Sequence, residues 1–122
     1  MPNVNGMILA LLNSPLGRLG GGTTVILRYT GPKSGKHVEL PVWAARDGDR
    51  WLVAVGWAEK KRWYKAFRNP TPATITWKGI EHDVIGHLAS EAEQPEAMRA
   101  YLSRIRAARR SMKGTEPIVV FT

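Results

Sequence analysis

The chain has 122 residues, 43% of them hydrophobic and 23% charged, a composition that indicates one globular domain with a core and excludes a disordered or two-domain chain. Eighteen Lys and Arg against ten Asp and Glu give a formal charge of +8, which favours a polyanionic partner: nucleic acid, an anionic membrane surface, or a phosphorylated or carboxylated small molecule. The absence of cysteine excludes disulfides, thiolate metal sites and a cysteine nucleophile, and the spacing of the three histidines predicts no metal site.

The N-terminal segment contains an apolar run at residues 7–12 that is too short to span a bilayer. Asn5 can cap a short amphipathic helix, which we place at about residues 5–18. We interpret this helix as packing on the rest of the domain. The alternative is transient contact with a membrane surface, with Arg18 beside the apolar face.

A β-hairpin is predicted next, because two apolar-rich extended segments, at residues 25–30 and 36–45, flank a short turn with two glycines and a proline. Its tip contains Lys33, Ser34, Gly35 and Lys36, where ammonium groups and freed backbone N–H groups favour an anion such as phosphate. The tip is not a nucleotide P-loop, because a strand and not a helix follows it. The alternative interpretation is a solvated hairpin tip.

Asp47-Gly48-Asp49 is a strong turn signal and leads into a third strand at residues 50–56. A helix is predicted over residues 57–68, with Trp63 and Phe67 on one face. Its basic residues either form a solvated face or approach the same anion as the hairpin tip.

The remaining chain predicts a second hairpin, a helix and a closing strand. Residues 73–77 and 80–88 alternate around Lys78-Gly79, residues 95–113 have an apolar helical face, and residues 117–121 form a strand expected near the first hairpin. Six short antiparallel strands with helices at the crossings predict a mainly β (α+β) fold, a small closed or split barrel formed by residues 1–122 as one domain.

Taken in this order, the motifs resemble the deazaflavin-dependent nitroreductase family, the coenzyme F420-binding split β-barrel proteins common in actinobacteria. The family's Thr-Gly-Arg-Lys/Arg-Ser-Gly run corresponds to residues 30–35, its Pro-hydrophobic-aromatic strand to residues 41–43, and its Trp-Trp/Tyr helix to residues 63–67. The sequence departs from the family at Pro32, where Arg is frequent, and near Val38, where a further basic residue is frequent. It also departs at Gly56, where some of the reductases have Ser, and at Ala58-Glu59, where those reductases have glycines.

This resemblance implies a six-stranded antiparallel split β-barrel of the FMN-binding type with flanking helices. It implies coenzyme F420 as cofactor, with FMN and FAD as alternatives, its phosphate-bearing tail on the first hairpin and its ring against the barrel wall. The residues expected to bind the cofactor are Lys33, Ser34, Gly35, Lys36, Pro41, Val42, Trp43, Ala54, Val55, Gly56, Lys60, Lys61 and Trp63.

The activity implied by the resemblance is transfer of a hydride from reduced deazaflavin to an electron-poor small molecule, such as a quinone, an enone or a nitro compound. No catalytic residue is assigned. Tyr64, Tyr29 and His37 can carry a proton, and solvent is the alternative donor.

Two other function classes stay open. One is non-catalytic binding of a flavin, haem or lipid-like ligand. The other is a nucleic-acid-binding β domain that stacks bases on Trp43, Trp57 and Trp63, which we rank last because tryptophans also serve as core anchors. The predicted partner is therefore a small-molecule acceptor and not nucleic acid, for a cytoplasmic monomer or homodimer with at most peripheral membrane contact through the N-terminal helix.

Overall fold

The computed structural model describes residues 24–122, so the predicted helix at residues 5–18 lies outside the described part. The described residues form seven strands, one α-helix and three short 3₁₀ helices. The strands are β1 (Thr24–Thr30), β2 (His37–Trp43), β3 (Ala45–Asp47), β4 (Arg50–Ala54), β5 (Thr71–Trp77), β6 (Ile80–Leu88) and β7 (Ile118–Phe121). Helix α1 is Gln94–Arg104, and the 3₁₀ helices are Ala58–Lys60, Trp63–Arg68 and Arg106–Arg110.

The strands form one antiparallel sheet in the order β2-β1-β5-β6-β7-β4-β3. Its two edge strands, β2 and β3, follow each other in the chain with only Ala44 between them. The two edges of the sheet therefore meet at Ala44, although β2 and β3 are not paired with each other. A curled sheet whose edges are joined at one point is a split barrel, and the predicted mainly β fold is confirmed.

Two details of the sheet differ from the prediction. The expected second strand divides at the buried residue Ala44, where the chain crosses from one sheet edge to the other, so there are seven strands and not six. The expected place of the closing strand beside the first hairpin is wrong, because β7 pairs with β4 and β6. Helix α1 packs on β3, β4 and β7. The chain that leaves α1 is therefore close to β4, and β7 pairs there.

The turn residues behave as the sequence predicts. Gly48, with φ +59°, opens the two-residue loop between Asp47 and Arg50. Lys78 and Gly79 have φ values of 51° and 80° and join β5 to β6. Positive φ at both loop positions, as at Lys78 and Gly79, or at the first position alone, as at Gly48, gives a tight turn that matches the twist of the strands.

The apolar side chains divide into two clusters, one on each face of the sheet. Trp51 and Val53 of β4 pack inside the barrel with Phe67, whereas Leu52, the neighbour of both, packs outside against α1. This alternation follows from strand geometry, which directs successive side chains to opposite faces. The outer cluster is completed from α1 and the segment after it by Ala97, Met98, Tyr101, Ile105 and Ala108.

The two predicted helices that lie within the described residues are both interrupted. The expected helix over residues 57–68 consists of two 3₁₀ helices, because Trp57 has left-handed backbone angles and Lys61 is extended. The expected helix over residues 95–113 ends at Arg104, since Ile105 leaves helical geometry with ψ 80°. This break lets Ile105 and Ala108 both pack in the outer cluster. Among residues 24–122, no helix has the length and apolar character needed to cross a membrane.

Candidate functional site

A cavity of about 750 Å³ lies between β2 and the chain that follows β4. We call it the tryptophan cavity, because Trp43, Trp57 and Trp63 all contribute to its wall. The other lining residues come from β1, β2, β4, the segment after β4, α1 and the segment after Arg110. They are Thr24, Leu40, Pro41, Val42, Val53, Ala54, Val55, Gly56, Lys61, Tyr101, Ser111 and Met112.

The local sequence explains why the sheet has an opening beside this cavity. Pro41 lacks a backbone N–H, which suits it to β2, an edge strand paired on one side only. On the opposite wall, Val55 leaves β4 and donates its N–H to the carbonyl oxygen of Pro117 at 2.9 Å. The chain then turns through Gly56 and Trp57, so the cavity lies beside a strand end and an unpaired strand edge.

Gly56 leaves room that a neighbouring side chain uses. A Cβ atom at this position would lie 3.4 Å from Cε and 3.9 Å from Sδ of Met112. Met112 therefore places an apolar thioether beside Gly56, in the wall of the cavity. The resemblance implied that Gly56 binds the cofactor, and Gly56 lines this cavity. The sequence did not identify Met112, which it placed on the apolar face of a longer helix.

The tryptophan cavity is mainly apolar and has few polar groups. Lys61 is the one charged residue among its described lining residues, and Lys60 adjoins it in the chain. The side chain of Tyr101 is buried, and this burial raises its pKa to about 12. Tyr101 therefore remains a neutral hydroxyl donor across the physiological pH range.

Tyr101 is a functional candidate that the sequence did not reveal. Helical periodicity placed it on an apolar face, and the structure places it both in the outer cluster and in the wall of the tryptophan cavity. The available signal was the presence of one hydroxyl on an otherwise apolar helix face.

The structure brings eight of the thirteen residues expected to bind cofactor to this one cavity. Lys60 adjoins it, and the four residues of the hairpin tip do not line it. The tip is at the opposite end of β1 and β2 from Trp43, a separation of about 20 Å along the strands. The eight residues are Pro41, Val42, Trp43, Ala54, Val55, Gly56, Lys61 and Trp63.

The hairpin tip uses several of its backbone donors internally. The N–H of Gly31 donates to the carbonyl oxygen of Lys36 at 2.8 Å. The N–H of Gly35 donates to the carbonyl oxygen of Gly31 at 2.9 Å. The N–H of Lys36 donates to Oγ of Ser34 at 3.3 Å. An anion at the tip would therefore be bound chiefly by the exposed side chains of Lys33 and Lys36.

The three candidate proton carriers lie outside the tryptophan cavity. The buried hydroxyl of Tyr29, whose pKa is raised by burial, donates to the carbonyl oxygen of Trp63 at 3.0 Å. The hydroxyl of Tyr64 donates to the carbonyl oxygen of Ala58 at 3.5 Å. Nδ1 of His37 lies 3.0 Å from Oγ1 of Thr30. Tyr29 and His37 line a second cavity, of about 990 Å³, on β1, β2, β5 and β6.

Comparison with known proteins gives one family match by sequence. The family model described as F420H(2)-dependent quinone reductase matches residues 10–122. No curated protein matches the chain.

Solved structures share the fold at low sequence identity. A structure of the F420-H2 dependent reductase FDR-A has a TM-score of 0.66 at 16% identity and covers 82% of this chain and 94% of its own. A domain-swapped dimer has a TM-score of 0.66 at 13% identity over the full length of both chains. A NimC/NimA family protein from Clostridium acetobutylicum has a TM-score of 0.56 at 15% identity and covers 96% of this chain and 79% of its own.

Proposed function

The chain belongs to the F420H2-dependent quinone reductase family, whose cofactor is coenzyme F420, and on this basis we propose that it transfers a hydride from reduced F420 to an electron-poor small molecule. The acceptor classes are a quinone, an enone and a nitro compound. The observation that carries the proposal is the tryptophan cavity, because a wide apolar space with flat aromatic walls suits a flat ring.

The lining residues fit the expected cofactor in size and chemistry. A volume of about 750 Å³ is within the range of small-molecule sites. The backbone at Gly56 carries no side chain, and the walls around Val42 and Val55 are apolar. Lys61, the one charged residue among the described lining residues, is our proposed contact for an anionic group such as phosphate.

The cofactor, when bound, supplies the hydride from its C5 position. The protein's residues then act by binding and orientation. The tryptophans and valines hold flat groups face to face and keep water away from them, and such positioning accounts for a large part of catalysis in cofactor enzymes.

Tyr101 is our proposed proton donor. Tyr101 contributes to the cavity wall, and its raised pKa keeps the hydroxyl protonated at neutral pH. Tyr29 and Tyr64 are less suited, because neither residue lines the cavity and the hydroxyl of each donates to a backbone carbonyl oxygen.

The hairpin tip is our proposed site for the acidic tail of the cofactor. Lys33 and Lys36 are exposed at the tip, about 20 Å from the Trp43 end of the strands. A ring in the tryptophan cavity and a tail at the tip would therefore require the cofactor to extend along β2. Ser34 and Gly35 complete this part of the proposed site, with Lys60 and Lys61 at the cavity.

A titration and a turnover assay together test the proposal. Purified protein is titrated with F420, FMN and FAD while tryptophan fluorescence is recorded, and we expect quenching by F420, because three of its five tryptophans line the cavity. Reduced F420 and menadione are then mixed with the protein, and oxidation of the cofactor is followed by its absorbance. Turnover supports the reductase. Tight binding of F420 without turnover would instead support the non-catalytic binding protein, which is the second candidate because Gly56 lies where some reductases of the family have Ser.

We also propose a cytoplasmic monomer or homodimer. One structure with this fold is a domain-swapped dimer, which supports testing the chain for self-association. Light scattering at increasing protein concentration distinguishes the two states.

A further inference from the structure

Trp57 lines the tryptophan cavity, although it is not one of the residues expected to bind the cofactor. It lies in the segment after β4, across the cavity from the wall that β2 provides with Trp43. At 67% exposure, Trp57 is the most exposed large apolar residue of the described chain. A residue that both lines the cavity and faces water lies at its mouth.

The backbone at Trp57 has an unusual conformation. Its φ of 51° and ψ of 48° are left-handed, which is unfavourable for a bulky side chain. Among residues 24–122, Lys78 is the one other non-glycine residue with positive φ, and the tight turn between β5 and β6 accounts for it. Trp57 lies between a strand and the 3₁₀ helix Ala58–Lys60, so no hairpin turn accounts for its conformation.

The fold does not use the indole of Trp57. The 3₁₀ helix that follows it has no buried residue. The segment is held by its main chain: the carbonyl oxygen of Trp57 accepts the N–H of Lys60 at 2.9 Å, and that of Ala58 accepts the N–H of Lys61 at 3.1 Å. Neither bond requires a particular side chain at position 57.

The ring of Trp57 is also free of aromatic partners. Within residues 24–122 it contacts no other aromatic ring, whereas Trp51, Trp63 and Trp77 each contact at least one. A bulky side chain in a strained backbone conformation, exposed and without a ring partner, indicates a role in binding a ligand.

From these observations we propose that Trp57 determines which acceptors the site takes, by stacking its indole on the face of a flat, electron-poor ring. This inference rests on the proposed function. An indole has an electron-rich face, so it attracts an electron-poor ring more strongly than a saturated group. Quinones and aromatic nitro compounds have such a ring, and the site should prefer them to non-aromatic enones.

The position of Trp57 explains why it contacts the acceptor and not the cofactor. The proposed cofactor ring lies against Val42 and Val55 in the walls of the cavity, and Val55 is only 1% exposed. An acceptor that binds after the cofactor contacts the residues that remain at the mouth. Trp57 is therefore a specificity-determining residue in this account.

Steady-state kinetics with two acceptors test the proposal. Oxidation of reduced F420 is followed with menadione, a flat quinone, and with 2-cyclohexenone, whose ring is not flat. Trp57→Leu keeps an apolar side chain but removes the aromatic face, so the KM for menadione should rise about 10-fold with little change in kcat. The KM for cyclohexenone should not change, and Trp57→Phe should recover most of the affinity for menadione.

A stability measurement separates ligand binding from a structural role. Asparagine adopts the left-handed conformation more readily than tryptophan, so Trp57→Asn should unfold at a urea concentration no lower than the parent's while its KM for menadione is raised. Lys78→Asn is the matched control, because it changes the other left-handed residue, which does not line the cavity, and should leave the KM unchanged.

Three results would overturn the proposal. The first is a Trp57→Leu enzyme with the parent's KM for menadione. The second is an equal rise in KM for both acceptors. The third is a Trp57→Asn protein that unfolds at a clearly lower urea concentration than the parent, because the indole would then serve the fold.

Binding measured without turnover distinguishes this proposal from the proposed function. Protein saturated with oxidised F420 is titrated with menadione by calorimetry, and Trp57→Leu should raise the dissociation constant about 10-fold. If the parent binds menadione in this assay but does not oxidise reduced F420, the proposed function fails while the role of Trp57 in binding a flat ring stands. Equal dissociation constants for parent and variant would remove that role even where turnover is observed.

Discussion

Gly86 shows how a single position limits the barrel interior. A Cβ atom on Gly86 would lie 2.6 Å from ring carbons of both Phe67 and Phe121, closer than nonbonded atoms approach. Phe67 and Phe121 pack against each other with ring centroids 5.2 Å apart, so neither ring can move freely. The absence of a side chain at Gly86 is therefore a packing requirement of the core.

We predict that Gly86→Ala lowers the free energy of unfolding by about 1–3 kcal/mol, the usual effect of overpacking. Gly56→Ala is the control, because its Cβ would meet only the flexible end of Met112 at 3.4 Å. Urea unfolding of both variants and the parent measures the difference. Equal stability of the two variants would show that the aromatic rings can relax.

Tyr101 is the residue on which the proposed chemistry depends. We predict that Tyr101→Phe lowers kcat for F420H2 oxidation by about 100-fold, the lower range for loss of a general acid, with little change in F420 affinity. Since its pKa is about 12, the hydroxyl stays protonated below that pH, so the parent should show no loss of rate from Tyr101 ionisation near neutral pH. Tyr64→Phe, which removes a hydroxyl outside the cavity, is compared in parallel. A Tyr101→Phe enzyme with the parent's kcat would mean that solvent supplies the proton.

At the scale of elements, a charge network joins the β3–β4 turn to helix α1. Asp47 accepts hydrogen bonds from Arg50 at 2.8 Å and from Arg104 at 3.1 Å, and Arg50 also binds Glu96 at 2.6 Å. The hydrogen bonds from the two arginines lower the pKa of Asp47. The ionised carboxylate therefore holds the helix against the turn.

We predict that Asp47→Asn lowers the free energy of unfolding by about 1 kcal/mol at neutral pH, because the network is partly exposed. The pKa of Asp47 is lower in the folded protein than in the unfolded chain, where it is about 3.9. The ionised carboxylate therefore stabilises the fold at pH values above about 3.9, and this stabilisation is lost as the pH falls through the lower pKa of the folded protein. The parent and variant should therefore converge in urea unfolding at strongly acidic pH. Asp49→Asn, in the same turn, should match the parent at both pH values, and a constant gap between Asp47→Asn and the parent would contradict the ionic account.

The β1–β2 hairpin provides a second test at this scale. We predict that Lys33→Ala and Lys36→Ala each weaken F420 binding by about 1–2 kcal/mol, the value of a charge-assisted hydrogen bond. Lys78→Ala removes an exposed lysine at the tip of the other hairpin and should bind F420 as the parent does. Fluorescence titration gives the three dissociation constants. Unchanged affinity in both tip variants would remove the hairpin from the cofactor site.

The sequence predicted correctly those elements whose geometry is set by residues close together in the chain. Lys78-Gly79 and Gly48 specify tight turns through their own backbone preferences, and alternation along β4 specifies which side chains are buried. The breaks at Trp57 and Ile105 were not predictable in this way, because neither tryptophan nor isoleucine has a backbone preference for a turn.

The same distinction applies to the site at the scale of the whole molecule. The resemblance of motifs predicted eight lining residues from β2, β4 and the segment after β4, which belong to short, recognisable runs. Tyr101 and Met112 come from a region that begins 38 residues after Trp63, the last of those eight in the chain. They reach the cavity because α1 packs across β3, β4 and β7. Helical periodicity predicts which face of a helix is buried, but not the strands against which that face packs.

The central claim is that the opening in the split barrel, bounded by Trp43 and Gly56, holds the deazaflavin ring. A crystal structure of the protein soaked with oxidised F420 tests it most directly. We predict electron density for the ring in the tryptophan cavity and for the acidic tail toward Lys33 and Lys36. Density for the ring in the cavity beside Tyr29 and His37, or a tryptophan cavity that remains empty at saturating F420, would contradict the account.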